Sequence, residues 1–304
     1  MTDGLSIELN ELIALKRYAR RTNYKPEYSA VRAGNHLSKL RGRGMDFAEV
    51  RNYQAGDEIR HMEWRVTART GRPHVKLYQE ERERPVIILN DFNPSMYFGT
   101  RLAFKSVVAA RLAAMIAWTT VKQDDRVGGV FFSAESHDEF TPRGRENGVL
   151  PMLASLSQYT RAGLQNNELK SSKPLSEVLV RVRRVVRPGS ILVVISDFYN
   201  MDADSEQHLS RLRSNNDVLA YHICDPLELS PPKPQHYAIT NGKQELLFDT
   251  TIDQVSKAYQ NYCDQRIANL QTQFKRLQMQ YVQVTAEADL AQLVRQTFPR
   301  RSRG

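Results

Sequence analysis

Three short apolar runs, each closing on an acidic residue, limit what this chain can fold into. Residues 86–89 (VIIL) are followed by Asn90 and Asp91, residues 191–195 (ILVVI) by Ser196 and Asp197, and the largely apolar residues 218–224 (VLAYHIC) by Asp225. A run of four to eight apolar residues bounded by turn signals reads as a strand buried on both faces, the kind found in parallel sheets. Helical periodicity fills the intervals between these runs. Such alternation predicts an α/β fold: a doubly wound, mostly parallel sheet flanked by helices. In sheets of this kind functional groups gather just beyond the carboxyl ends of the strands, where Asp91 and Asp197 fall. Asp91, Asn93 and Ser95 place three oxygen-bearing side chains at alternate positions of one loop.

The same reading assigns the rest of the chain. An amphipathic helix is expected over residues 7–21, and further helices over 101–122, 146–159, 174–186, 205–214, 252–277 and 290–298. Residues 127–132 read as a strand with 135–140 as its hairpin partner or edge, and 281–284 as a last strand. Residues 237–248 read as a hairpin about Asn241-Gly242. Between residues 42 and 81 lies a block dense in charges and aromatics, with extended structure near Phe47, Val50 and Tyr53 and a turn at Ala55-Gly56-Asp57. A short helix or turn at 61–70 and a strand at 74–78 complete it. Charges so close together suggest local ion pairs that fix the block, or else a binding face. The expected division is a helix and basic linker over 1–38, a β-containing subdomain packed on the sheet over 39–84, the sheet domain over 85–298 with a hairpin insertion near 230–250, and a basic tail over 299–304.

The chain has 304 residues and a net charge of +9. Lys16, Arg17, Arg20, Arg21, Lys25, Arg32, Lys39, Arg41 and Arg43 form a basic stretch that is a solvated face or a footprint for an acidic partner. Cys224 and Cys263 have no metal-ligand spacing and read as packed, reduced thiols. Glu8 and Glu11 interrupt the first apolar stretch, which argues against a signal peptide, and charges break every candidate membrane span. The expected location is the cytosol, without membrane insertion.

Gly42-x-Gly44, Phe47, Glu49, Arg51-x-Tyr53, Gly56-Asp57, Arg60, Trp64, Ala68-Arg69 and Glu80, with Cys224-Asp225-Pro226-Leu227-Glu228, resemble the signature of the bacterial "domain of unknown function 58" family. The remainder resembles a von Willebrand factor A-type domain. That resemblance implies a metal-ion-dependent adhesion-type site, with Asp91, Asn93, Ser95 and Asp197 as ligands of Mg²⁺ or another divalent cation. It also implies a threonine position near residues 171–173. Asn93 stands where the pattern has a serine, and Lys173 is a candidate cation to replace the metal. Mg²⁺ takes oxygen ligands in octahedral array, and a carboxylate from a partner protein can complete its shell. Arg51, Tyr53, Gly56, Asp57, Arg60, Trp64, Arg69, Asp225 and Glu228 are expected to serve partner binding or structure. The resemblance implies a non-enzymatic adaptor that works with a MoxR-type AAA+ ATPase in chaperone-like assembly or maturation of a client protein. No GxxxxGK[ST] or GxSxG motif is present. The alternatives are a nucleic-acid-binding protein using the basic stretch and a Mg²⁺-dependent hydrolase using Asp91 and Asp197.

Overall fold

The computed structural model of the chain describes residues 4–20, 45–54, 56–80, 84–165, 171–240 and 245–299. These fall into two compact units. One comprises residues 1–33 and 84–300, the other 34–83 with 301–304. The tip of the expected Asn241-Gly242 hairpin, the basic stretch beyond Arg20 and the final arginines lie outside the described residues.

The larger unit is built on a six-stranded sheet. Its strands are β3 (Val86–Asp91), β4 (Val127–Phe132), β5 (His137–Arg143), β6 (Ile191–Ser196), β7 (Asp217–Ile223) and β10 (Gln280–Val284), in the order β10-β7-β6-β3-β4-β5. All neighbours are parallel except β5, which returns antiparallel along β4 as the edge. This is the doubly wound, mostly parallel sheet expected from the sequence. Every residue of β3, β4, β6 and β7 is buried. Alternate side chains feed two cores. Ile88, Phe131, Val193, Ile195 and Tyr221 pack on one face, and Ile87, Leu89, Val130, Val194 and Ala220 on the other. Each of the Val, Leu, Ile and Phe side chains contributes about 1.5–3 kcal/mol on burial.

The helices divide between those faces. α1 (Leu9–Ala14), α3 (Lys105–Lys122), α4 (Glu146–Gln165) and α8 (Leu290–Thr297) cover the first, and α5 (Leu175–Val185), α6 (Ala203–Arg213) and α7 (Asp253–Arg276) the second. α1 is shorter than its periodicity suggests, because the chain tightens into a 3₁₀ turn at Leu15–Tyr18. α3 starts four residues later than expected. The segment before it is held as a loop by Thr100, whose backbone N–H and hydroxyl both donate to Asp225, at 2.8 and 2.6 Å. Leu102, within the expected helix, lies in this loop and is 65% exposed. β8 (His236–Thr240) pairs antiparallel with β9 (Glu245–Asp249) as the expected hairpin.

In the smaller unit β1 (Met45–Asn52) pairs antiparallel with β2 (His74–Glu80), and α2 (Trp64–Thr70) lies between them in sequence, ending at Gly71. Gly56 takes a φ of +108° in the expected turn, a conformation that side-chain-bearing residues rarely adopt. Among the described residues no helix is long and apolar enough to cross a membrane, and both cysteines are buried and unpaired.

Candidate functional site: a carboxylate–ammonium centre at the strand ends

Register brings the two predicted acids to one rim. Asn90 of β3 lies beside Ile195 of β6, so the two strands leave the sheet at the same level. Ser196 then donates to Asp91 Oδ2 at 2.7 Å, and the Asn93 backbone N–H donates to Asp91 Oδ1 at 2.8 Å. Asp91 is buried. Its pKa is raised to about 7, first by burial and next by the nearby charge of Asp197.

The loop before α5 meets the same point. Asn93 Oδ1 accepts the Lys173 backbone N–H at 2.9 Å, and Asn93 Nδ2 donates to the Lys173 carbonyl at 3.1 Å. Lys173 therefore engages the loop through its backbone. The cation at the centre is a different residue, Lys105, in the first turn of α3. Its Nζ lies 2.8 Å from Asp197 Oδ2 and 2.5 Å from Glu228 Oε1, and its side chain is 2% exposed. Burial opposes the charge on Lys105, but the Asp197 and Glu228 carboxylates outweigh it and hold its pKa above the usual lysine value. Burial pushes Glu228 upward, against the pull of Lys105. Asp197 Oδ1 accepts the Tyr199 backbone N–H at 3.2 Å, and the Asp197 carbonyl accepts from Arg266 at 2.6 Å.

Asp225 and Glu228 act as one device. Asp225 caps the 3₁₀ turn Pro226–Glu228 by accepting from Leu227 N–H, while Glu228 Oε2 accepts the Asp225 N–H. This capping box leaves Glu228 Oε1 aimed at Lys105. The sequence signal for Lys105 is that it is the only charged residue in the first six positions of a helix whose start, KSVVAA, is otherwise uncharged and mostly apolar.

These residues do not fit a resident divalent cation. Both oxygens of Asp91 and of Asp197, and Asn93 Oδ1, already accept hydrogen bonds or ion pairs. Of the expected ligands only Ser95 Oγ is buried without a hydrogen-bond partner among the described residues. Mg²⁺ demands about six oxygens near 2.1 Å. A dication within about 4 Å of the Lys105 ammonium would be repelled by roughly 8 kcal/mol at an effective dielectric of about 20. Among the described residues no group of three or more His, Cys, Asp and Glu has the arrangement of a metal site.

The segments that leave β3 and β6 carry exposed apolar and aromatic residues. Phe98 and Leu102, in the loop between β3 and α3, are 39% and 65% exposed, and Tyr199, just after β6, is 41% exposed. The Arg266 guanidinium stacks on the Tyr199 ring 3.6 Å from its centroid, and Lys105 Nζ lies 5.3 Å from the same ring. Tyr262 on α7 is also exposed. A cleft of about 1050 Å³ between α1, α3 and α4 lies at the opposite end of α3, where Trp118 and Lys122 line it. It contains neither Asp91 nor Asp197.

The family-signature residues of the smaller unit are placed locally. Arg51 pairs with Asp57 at 2.8 Å, and Asp57 also accepts the Gln54 backbone N–H, so the two residues brace the turn at Gly56. The Gln54 bond and the Arg51 guanidinium keep the Asp57 carboxyl below its ordinary pKa. Tyr53 N–H donates to the Pro73 carbonyl at 2.8 Å. Arg60 pairs with Glu58, and Lys76 with Glu63. Trp64 and Arg69 are exposed. The side chains of Phe47, Glu49 and Glu80, with Gly42 and Gly44, lie outside the described residues. His222, the strand neighbour of Ser196, is buried against the Tyr281 hydroxyl, with its Nδ1 2.6 Å from that oxygen.

Comparison with known proteins places the chain. It is 27% identical over 232 residues to an uncharacterized protein of Mycobacterium tuberculosis (strain ATCC 25618 / H37Rv), covering 75% of this chain and 70% of that one. Among solved structures it is similar to the conserved hypothetical protein BatB of Bacteroides thetaiotaomicron, at 15% identity and a TM-score of 0.42, over 70% of this chain and 95% of that one. It is also similar to the SpRpn10 VWA domain, at 10% identity and a TM-score of 0.36, over 70% of this chain and 94% of that one. The model of the family described as "Protein of unknown function DUF58" matches residues 49–268, well over half of the sequence, and the chain belongs to that family.

Proposed function

We propose that this chain is a protein-binding adaptor, not a catalyst, and that it works with a MoxR-type AAA+ ATPase in chaperone-like maturation of other proteins. The observation that carries this reading is the rim at the carboxyl ends of β3 and β6. Phe98 and Leu102 after β3 and Tyr199 after β6 are exposed on the segments that leave the strand ends, where Lys105, Asp197 and Glu228 form a closed, charge-compensated centre. Exposed large apolar side chains gathered at one place mark interaction surfaces, and a Tyr–Arg stack is typical of residues that dominate binding energy. The centre holds the loops that carry this surface in place and contributes rigidity, not chemistry. With the acids committed to Lys105, Ser196 and backbone N–H groups, the adhesion-type site is a degenerate one. Among the described residues a hydrolytic role for Asp91 and Asp197 finds no free ligand set.

A pull-down of the ATPase by the full chain tests the reading. Leu102→Asp is expected to weaken capture about tenfold or more, the loss typical of an interface anchor, with an unchanged circular dichroism spectrum. Capture that persists in Leu102→Asp and in Tyr199→Ala would remove the rim from the account.

A further inference from the structure

We propose that Lys105 is the resident cation of this centre, and that the surrounding oxygens form a latent divalent-cation site which the ammonium keeps closed. The inference concerns the centre alone and does not depend on which protein docks above it. Three observations carry it. First, the ammonium touches Asp197 and Glu228 from opposite elements and is buried with them, so it ties the loop after β6 to the turn after β7. That is the mechanical task of a bridging metal. Second, Lys105 stands in the first turn of α3, where the helix dipole disfavours a cation. A buried lysine persists there only because two carboxylates compensate it. Third, Ser95 Oγ is buried beside the Asp91 loop with no hydrogen-bond partner among the described residues. It is an oxygen donor that the present network leaves unused.

Removing the ammonium frees Asp197 Oδ2 and Glu228 Oε1, in addition to the unused Ser95 hydroxyl, while the Asp91 oxygens stay bonded to Ser196 and the Asn93 N–H. Hard dications bind such all-oxygen sets. The substitution should therefore convert a metal-indifferent protein into a metal-dependent one.

The test is titration of the purified full chain with Mn²⁺, read by electron paramagnetic resonance, together with thermal unfolding in Mn²⁺ and in EDTA. The wild type is expected to bind no stoichiometric Mn²⁺ up to about 1 mM, and its melting temperature to be the same in both. Lys105→Ala is expected to bind about one Mn²⁺ per chain at least tenfold more tightly, and to melt higher in Mn²⁺ than in EDTA. The double variant Lys105→Ala/Asp197→Asn should lose that binding, which separates the centre from surface carboxylates. If Lys105→Ala does not fold without metal, Lys105→Met keeps the methylene packing and is titrated in its place. Stoichiometric Mn²⁺ on the wild type, or no gain in either Lys105 variant, would overturn the inference.

Discussion

A buried ionised group holds its charge only where specific neighbours replace water. Lys105 does so through Asp197 and Glu228, and Asp217 does so at the other end of the sheet by pairing with the partly exposed Arg84 at 2.5 Å. His222 takes the other course and stays neutral. Burial, and next the charge of Arg266, lower its pKa from 6.5 to about 3. The sign of the consequence is fixed. Below about pH 6.5 the unfolded chain takes up a proton that the folded chain refuses. Stability is therefore full above that pH and falls by up to about 1.4 kcal/mol per unit as pH drops toward 3. Urea unfolding of wild type and His222→Gln at pH 7.5 and pH 4.5 checks this, and the wild type should lose more stability between the two. At this scale the sequence was partly legible. Asp91, Asn93, Ser95 and Asp197 announced themselves by following apolar runs. The cation did not, because the resemblance points to Lys173 at its threonine position, whereas Lys105 lies at the start of what reads only as a buried helix.

Elements follow local rules more closely than sites do. The four apolar strands and most helices stand where periodicity puts them, because burial on one or both faces leaves few alternatives. The beginning of α3 departs from its pattern since Thr100 is drawn to Asp225, a contact between residues that sequence spacing does not link. The edge hairpin of β4 and β5 depends on a residue type. A Cβ on Gly128 would meet the Phe140 carbonyl oxygen at 2.4 Å, where the register of the pair shifts. Gly128→Ala should destabilise the protein by about 1–3 kcal/mol in chemical denaturation, as overpacking does elsewhere. Gly144→Ala, with nothing within 4 Å of its added methyl, is the matched control and should be near neutral. Asp202 caps α6 reciprocally with Ser205. Asp202→Ala should cost about 1 kcal/mol by the same measurement.

The larger unit is a sheet domain whose acid-bearing rim is set by topology. Parallel strands β3 and β6 are neighbours, so two acids more than a hundred positions apart share one rim, as the sequence pattern implied. The doubly wound class and the family follow from pattern and motif. The closure of the site by an ammonium required the three-dimensional path of the chain. The most direct measurement is the electron density at this rim in crystals of the full chain grown with about 10 mM MgCl₂, well above the affinity of ordinary Mg²⁺ protein sites. The account predicts Lys105 Nζ bridging Asp197 and Glu228, with no octahedrally ligated ion between Asp91 and Asp197. A metal with its shell of water there, and Lys105 turned out toward solvent, would contradict it.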